Sequence, residues 1–123
     1  MGLNIIFYLP RPLEEGNELL KAVIPYAVGG HLEVLSDLSG FAARLNRPKD
    51  PSSVAIVWDP TSEELRRIAA MKNLLAGVRT LLVLPDQETE TLSLAHKIMP
   101  AYISYTDQGT AEIISVLERL YGT

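Results

Sequence analysis

The sequence predicts a doubly wound α/β domain, with five strand–helix units around one parallel sheet. Two observations predict it. Five short apolar runs, rich in branched and aromatic residues, recur along the chain, and each is followed by a stretch of helical spacing. Pro, Gly or Asp marks almost every junction between them. With 123 residues, 47% hydrophobic and 21% charged, residues 1–123 suit a single domain with a sizeable core.

The first strand is Leu3–Leu9, apolar on both faces, and Pro10 and Pro12 break it. A helix follows from about Leu13 to Val28, with Leu20, Val23, Ile24 and Ala27 at helical spacing. Pro25 should kink or shorten its last turns, and Gly29-Gly30 ends it. Strand two covers residues 31–36. Asp37 then caps a short helix carrying Leu38, Phe41, Ala42 and Leu45. Residues 46–53, with Pro48 and Pro51, read as a loop.

Strand three is Val54–Trp58, closed by Asp59-Pro60. Thr61-Ser62-Glu63-Glu64 matches a capping box, so a helix starts there and runs to about Ala76. It presents Leu65, Ile68, Ala69, the stem of Lys72, and Leu75, and Gly77 stops it. Strand four is Thr80–Leu84, followed by Pro85-Asp86 and a helix from about Gln87 to Ile98. Leu92, Ala95, Ile98 and Met99 are its expected inward residues, and Pro100 ends it. Strand five is Ala101–Tyr105. After the loop Thr106–Gly109, the last helix carries Ile113, Ile114, Leu117, Leu120 and Tyr121.

Alternating strands and helices imply a parallel sheet covered on both faces. Strands one, three and four are nearly continuous apolar runs, as central strands should be. Glu33 and Ser104 interrupt strands two and five, which places those two at the edges. The order 2-1-3-4-5 satisfies this, whereas 3-2-1-4-5 would expose strand three; the flavodoxin-like arrangement is therefore expected.

Composition narrows the function. The net charge is −4 and the basic residues are scattered, the densest group being Arg44, Arg47 and Lys49, so nucleic acid is not an expected partner. The absence of cysteine excludes disulfides, thiolate nucleophiles and cysteine-ligated metals. No apolar run is long enough to span a bilayer, so no membrane role and a cytoplasmic location are expected.

Ligands of such sheets bind beyond the carboxyl ends of the strands, where the strand order reverses. That point lies here between strands one and three. The edge gathers Pro10, Arg11, Asp37, Asp59, Asp86, Thr106 and Asp107. Asp37, Asp86 and Asp107 read best as helix caps. Asp59 is followed by Pro60 and by a separate cap, Thr61, which leaves its carboxylate free for another use. His31 and His96 have no ligand-spaced partners, and no serine lies in a nucleophile elbow. The first strand–helix turn, LPRPLEEG, lacks phosphate-cradling glycines. Trp58 reads as packed against a helix rather than as a cofactor platform.

In order and length the chain resembles a bacterial response-regulator receiver domain, a CheY-like phosphorelay module of two-component systems. Asp59 in VAIVWDP matches the position where that family carries its phosphoacceptor aspartate, and Tyr102 in AYISY matches its switch aromatic. The rest of the pocket departs from the family. Tyr8-Leu9-Pro10 stands where receivers carry the acidic pair that holds magnesium. Pro85 replaces the hydroxyl residue after strand four, and Tyr105-Thr106 replaces the Lys-Pro pair after strand five.

The resemblance therefore implies a pseudo-receiver: a signalling or protein-interaction module, not an enzyme, with no cofactor and weak magnesium affinity. It implies a protein partner, or a second copy, on the surface of the fourth helix, fifth strand and fifth helix, roughly residues 87–121. Two alternatives stay open: an atypical phosphoacceptor working through Asp59, and a small-molecule-binding domain using the same edge. Arg11 could supply the missing counter-charge by pairing with Asp59. Glu14 and Glu15 could replace the acidic pair, although first-turn acids favoured by the helix dipole are the plainer reading.

Overall fold

The computed structural model describes residues 2–11, 14–108 and 110–121, with Glu14 described in its backbone only. The expected break at Pro12, helix start at Leu13 and loop residue Gly109 lie outside the described residues. Strand and helix alternate as β1 Asn4–Tyr8, α1 Glu14–Val23, β2 His31–Leu35, α2 Leu38–Leu45 and β3 Ser53–Trp58. They continue as α3 Ser62–Ala70, β4 Arg79–Leu84, α4 Thr89–Ile98, β5 Tyr102–Tyr105 and α5 Ala111–Tyr121. Every strand pair is parallel and the order is β2-β1-β3-β4-β5, the flavodoxin-like doubly wound sheet that the strand chemistry predicts.

The pleat divides the apolar residues between two cores. Ile5, Phe7, Ile56, Trp58, Leu81 and Val83 face α1 and α5, where Leu19, Val23, Ile113 and Leu117 meet them. Ile6, Tyr8, Val57, Leu82 and Leu84 face α2, α3 and α4, against Phe41, Leu45, Leu65, Ile68, Ala95 and Ile98. β3 is buried at every position because it has a strand on each side and helices on both faces. At ~25 cal/mol per Å² of apolar area, this two-sided burial is the main stabilising contribution.

Asp37 and the Thr61–Glu64 box cap their helices as their residue types predict. The Asp37 carboxylate accepts from the Gly40 amide at 2.6 Å. Thr61 Oγ1 accepts from the Glu64 amide at 3.1 Å, while Glu64 Oε1 accepts from the Thr61 amide at 2.8 Å.

Several elements differ from the sequence pattern. Pro25 ends α1 at Val23 and turns Ile24–Ala27 into a 3-10 segment, because proline has no amide for the helical ladder. That tighter winding swings Ile24 outward, 48% exposed, and Leu19 rather than Ile24 fills the core. α3 likewise stops at Ala70 and continues as the 3-10 segment Lys72–Leu75, which leaves Lys72 in solvent.

Asp86 does not cap α4. Its carboxylate accepts from the Glu88 amide at 3.0 Å and closes the turn before the helix. Asp107 sits in a 3-10 turn, Thr106–Gln108, ahead of α5. Thr91 and Leu94 face inward on α4, whereas Met99 takes a left-handed backbone, φ 57°, and is 80% exposed. Ser104 points into the protein, not out from the edge, and donates to Glu112 Oε1 at 2.7 Å. A buried hydroxyl is tolerated there because it has a charged acceptor.

α1 approaches the sheet closely at Gly16. A Cβ at that position would lie 2.7 Å from Leu9 Cδ1 and 2.9 Å from Trp58 Nε1, both inside the core. Gly16→Ala is therefore expected to lower unfolding stability by roughly 1–3 kcal/mol, despite the better helix propensity of alanine. A urea titration of both proteins measures this.

Candidate functional site

β1 and β3 are neighbours, so their carboxyl ends meet at the switch point. β1 ends in Tyr8 and β3 in Trp58, followed by Asp59. Sheet pairing continues one residue past β3, where the Asp59 amide donates to the Val83 carbonyl at 2.8 Å. The chain must then turn into α3 through Pro60. It does so by placing Asp59 in the left-handed region, φ 50°. Aspartate tolerates that region better than most residues, but the conformation still costs on the order of 1 kcal/mol.

Glu64, on the first turn of α3, is the hub that holds this turn. Its carboxylate accepts from Tyr8 Oη at 2.6 Å, from Arg11 Nη2 at 2.8 Å and from the Thr61 amide at 2.8 Å. Arg11 Nη2 also donates to the Asp59 backbone carbonyl. Four segments are thereby joined: the end of β1, the turn after it, the turn after β3, and the start of α3.

The electrostatics follow from these contacts. Burial alone would raise the Glu64 carboxyl, but the hydrogen bonds from Arg11, Tyr8 and the Thr61 amide outweigh it and hold it at about 2. Burial also raises the Tyr8 hydroxyl, and the neighbouring Glu64 raises it further. The bond to Glu64 raises the Arg11 guanidinium despite its partial burial. Asp59 moves the opposite way from Glu64. Burial pushes its carboxyl up, Arg11 opposes this only in part, and Glu64 and Glu15 add to it.

Asp59 opens into a cleft of about 270 Å³ lined by Glu15, Trp58, Asp59, Thr106 and Asp107. Of the expected edge residues, Asp59, Thr106 and Asp107 meet there, with Arg11 bonded to the Asp59 carbonyl beside it. Pro85 is exposed and outside the cleft lining, and Tyr105 packs against the α2–α4 core. Tyr102 lies away from the cleft, half-buried against the α1–α5 core. It also lines a groove with His96, Met99, Pro100, Ala101 and Ile103. The expected Arg11–Asp59 carboxylate pair is corrected: the ion-pair partner of Arg11 is Glu64, and Asp59 contributes its carbonyl. Tyr8 and Glu64 are the functional-edge residues that sequence reasoning missed. The position of Glu64 in the capping box, one turn beyond Asp59, was the available signal.

The receiver resemblance implies a divalent ion here, and the residues do not fit one. β1 ends without a carboxylate, and the guanidinium of Arg11 is already bound to the Asp59 carbonyl and Glu64. Among the described residues, no three His, Asp or Glu side chains come together to hold a metal. Glu15 lines the cleft, and the side chain of Glu14 lies outside the described residues. Among the described residues, no helix is long and apolar enough to cross a membrane.

A solved structure with this fold is the crystal structure of a protein described as pilus assembly-related, from Burkholderia pseudomallei K96243. The TM-score is 0.65 at 15% identity, over 98% of this chain and 90% of that one. No family model and no curated protein matches the sequence. The likeness establishes the fold and leaves the chemistry to the residues of this chain.

A carboxyl lowered by folding stabilises the protein above its unfolded value, and that stabilisation is lost as pH falls through the folded one. For Glu64 the window runs from its ordinary 4.5 down to about 2. The urea midpoint should fall over that range, and Glu64→Gln should flatten the fall. At neutral pH this variant should cost on the order of 2 kcal/mol, part of the gross effect being screened by solvent at Arg11. Asp59 has the opposite sign, since its ionised form is disfavoured by folding. Asp59→Asn should therefore raise the neutral-pH urea midpoint.

Proposed function

We propose that this chain is a receiver-like protein-interaction module that works without magnesium-dependent phosphorylation and without catalysing a reaction. The observation that carries this reading is the commitment of Arg11 to the Asp59 carbonyl and to Glu64. A phosphoacceptor pocket needs a divalent ion and a free counter-charge to neutralise the transferring group. Here the first-strand turn offers a cation instead of carboxylates. The ends of β4 and β5 carry Pro85 and Tyr105-Thr106 in place of a hydroxyl and a lysine.

The proposed interaction surface is the α4–β5–α5 face, the one the resemblance implies. Its groove between the end of α4 and β5 encloses about 560 Å³. Met99, 80% exposed, lines it together with Tyr102, and an exposed flexible thioether suits docking against an apolar partner surface. The partner is a protein or a second copy. The description of the Burkholderia protein makes an assembly component the first partner to test.

The second reading, an atypical phosphoacceptor, is favoured by the strained, partly buried Asp59 in the cleft lining. Trp58, one residue away, reports on both. Acetyl phosphate or beryllofluoride with magnesium should leave Trp58 fluorescence unchanged, and Asp59→Asn should behave like the wild type. A saturable, magnesium-dependent change absent from Asp59→Asn would establish the second reading and sink the first.

A further inference from the structure

We propose that the outer edge of β2 is a self-association seam, where a second copy of this chain extends the sheet by antiparallel β2–β2 pairing. The inference goes beyond the proposed function, because β2 lies at the opposite edge of the sheet from the α4–β5–α5 face. The Leu9 amide donates to the Leu35 carbonyl at 2.9 Å, so the backbone of Leu35 faces β1. Backbone groups alternate along a strand, and the register with β1 runs without a skip from His31 to Leu35. His31 and Glu33 therefore also turn their amides and carbonyls to β1, while Leu32 and Val34 turn theirs outward. Among the described residues, no backbone group bonds to these outward amides and carbonyls.

Native sheet edges are blunted by proline, by a bulge or by exposed charge. β2 has no proline and no bulge, and none of its residues is buried. Val34 is 45% exposed. The one carboxylate on the strand, Glu33, is matched from within the chain. Arg44 Nε donates to it at 2.7 Å and Arg47 Nη2 at 3.3 Å.

The strand is also complementary to itself. A two-fold axis through Glu33, normal to the sheet, sets two β2 strands antiparallel and places Leu32 opposite Val34 of the second copy. Both residues present their backbone outward, so each of these two pairs exchanges two hydrogen bonds. Leu32 and Val34 stand beside Ile5 and Phe7 and share their face of the sheet, the one that carries α1. Their side chains make two apolar cross-strand pairs there. The two Glu33 side chains meet on the other face. Like charges placed opposite one another oppose pairing, but here each carboxylate brings two arginines with it. Arg44 Nη1 is buried without an acceptor beside Glu33, and the second copy brings another carboxylate to that side. A seam of five residues is too small for a permanent dimer, so the association is reversible.

Sedimentation equilibrium over roughly 10 µM to 1 mM chain tests this. The weight-average mass should rise from that of one chain towards that of two. Amide exchange at Leu32 and Val34 should slow over the same range, in proportion to the monomer left. Val34→Pro removes one outward amide and leaves the β1 ladder intact, because proline is accepted where an edge amide faces solvent. It should stay monomeric throughout. Val34→Lys keeps that amide and adds the charge that blunts natural edges; it should raise the dissociation constant roughly fivefold or more, and it carries the test if the proline variant does not fold. Met99→Lys should pair like the wild type. A wild type that stays monomeric to about 1 mM overturns the inference. So does a dimer that neither Val34 variant weakens. A dimer lost with Met99→Lys instead puts the second copy on the α4–β5 groove, which overturns the seam and leaves the proposed function standing.

Discussion

A parallel sheet has no face it can leave in water, and the rest of this protein is arranged around that constraint. β3 meets it most strictly: each of its residues from Ser53 to Trp58 is buried, with β1 and β4 beside it and helices above and below. The interior is consequently given over to apolar packing, and polar chemistry collects where strands stop. The order β2-β1-β3-β4-β5 brings Tyr8 and Asp59 to the same edge although they are far apart in sequence. The right-handed crossovers then deliver α3, with Glu64 on its first turn, to the same place.

At that edge two carboxyl groups are pushed in opposite directions by their surroundings. Glu64 has three donors and stays ionised far into acid. Asp59 is half-buried, has its acidity weakened, and sits in a strained backbone region. Neither feature of Asp59 stabilises the fold. Its amide and carbonyl are both engaged, to Val83 and Arg11, so the strain is held by bonds to the backbone and not by the carboxylate. Among the described residues no hydrogen bond to the Asp59 carboxylate holds the turn, which is the pattern expected of a position shaped by function.

Much of the fold was legible because its signals are local and repeated. Pattern, caps and punctuation agree at Asp37, at the Thr61–Glu64 capping box, and in the apolar runs of β1, β3 and β4. Glu33 and Ser104 marked the edge strands correctly, although Ser104 turned out to be buried against Glu112. The errors are where a longer-range or stereochemical effect took over. Pro25 altered the helical winding and so moved Ile24 out of register. A left-handed Met99 ended α4 with its side chain in solvent. At the site, Asp59 was visible as a residue without a structural duty. The partner of Arg11 was not, because choosing between Asp59 and Glu64 depends on how α3 approaches β1, which no local pattern encodes.

A ligand shifts a conformational equilibrium only by the difference in its affinity for the two states. A free ligand can supply such a difference, because it is sometimes absent. A cation carried on the chain is present at a high effective concentration at all times and supplies none. If Arg11 holds the turn after β3 in this way, the edge becomes part of the scaffold and ceases to be an input. Under the proposed reading, regulation enters by contact with the exposed surfaces, where binding energy is still available. The groove at the end of α4 is suited to that role: Tyr102 extends from a strand paired directly to β4, and Asp59 bonds to β4 through Val83. The surface proposed for a partner is therefore only one strand away from the locked turn, and a partner seated there would meet a sheet edge already fixed in one geometry.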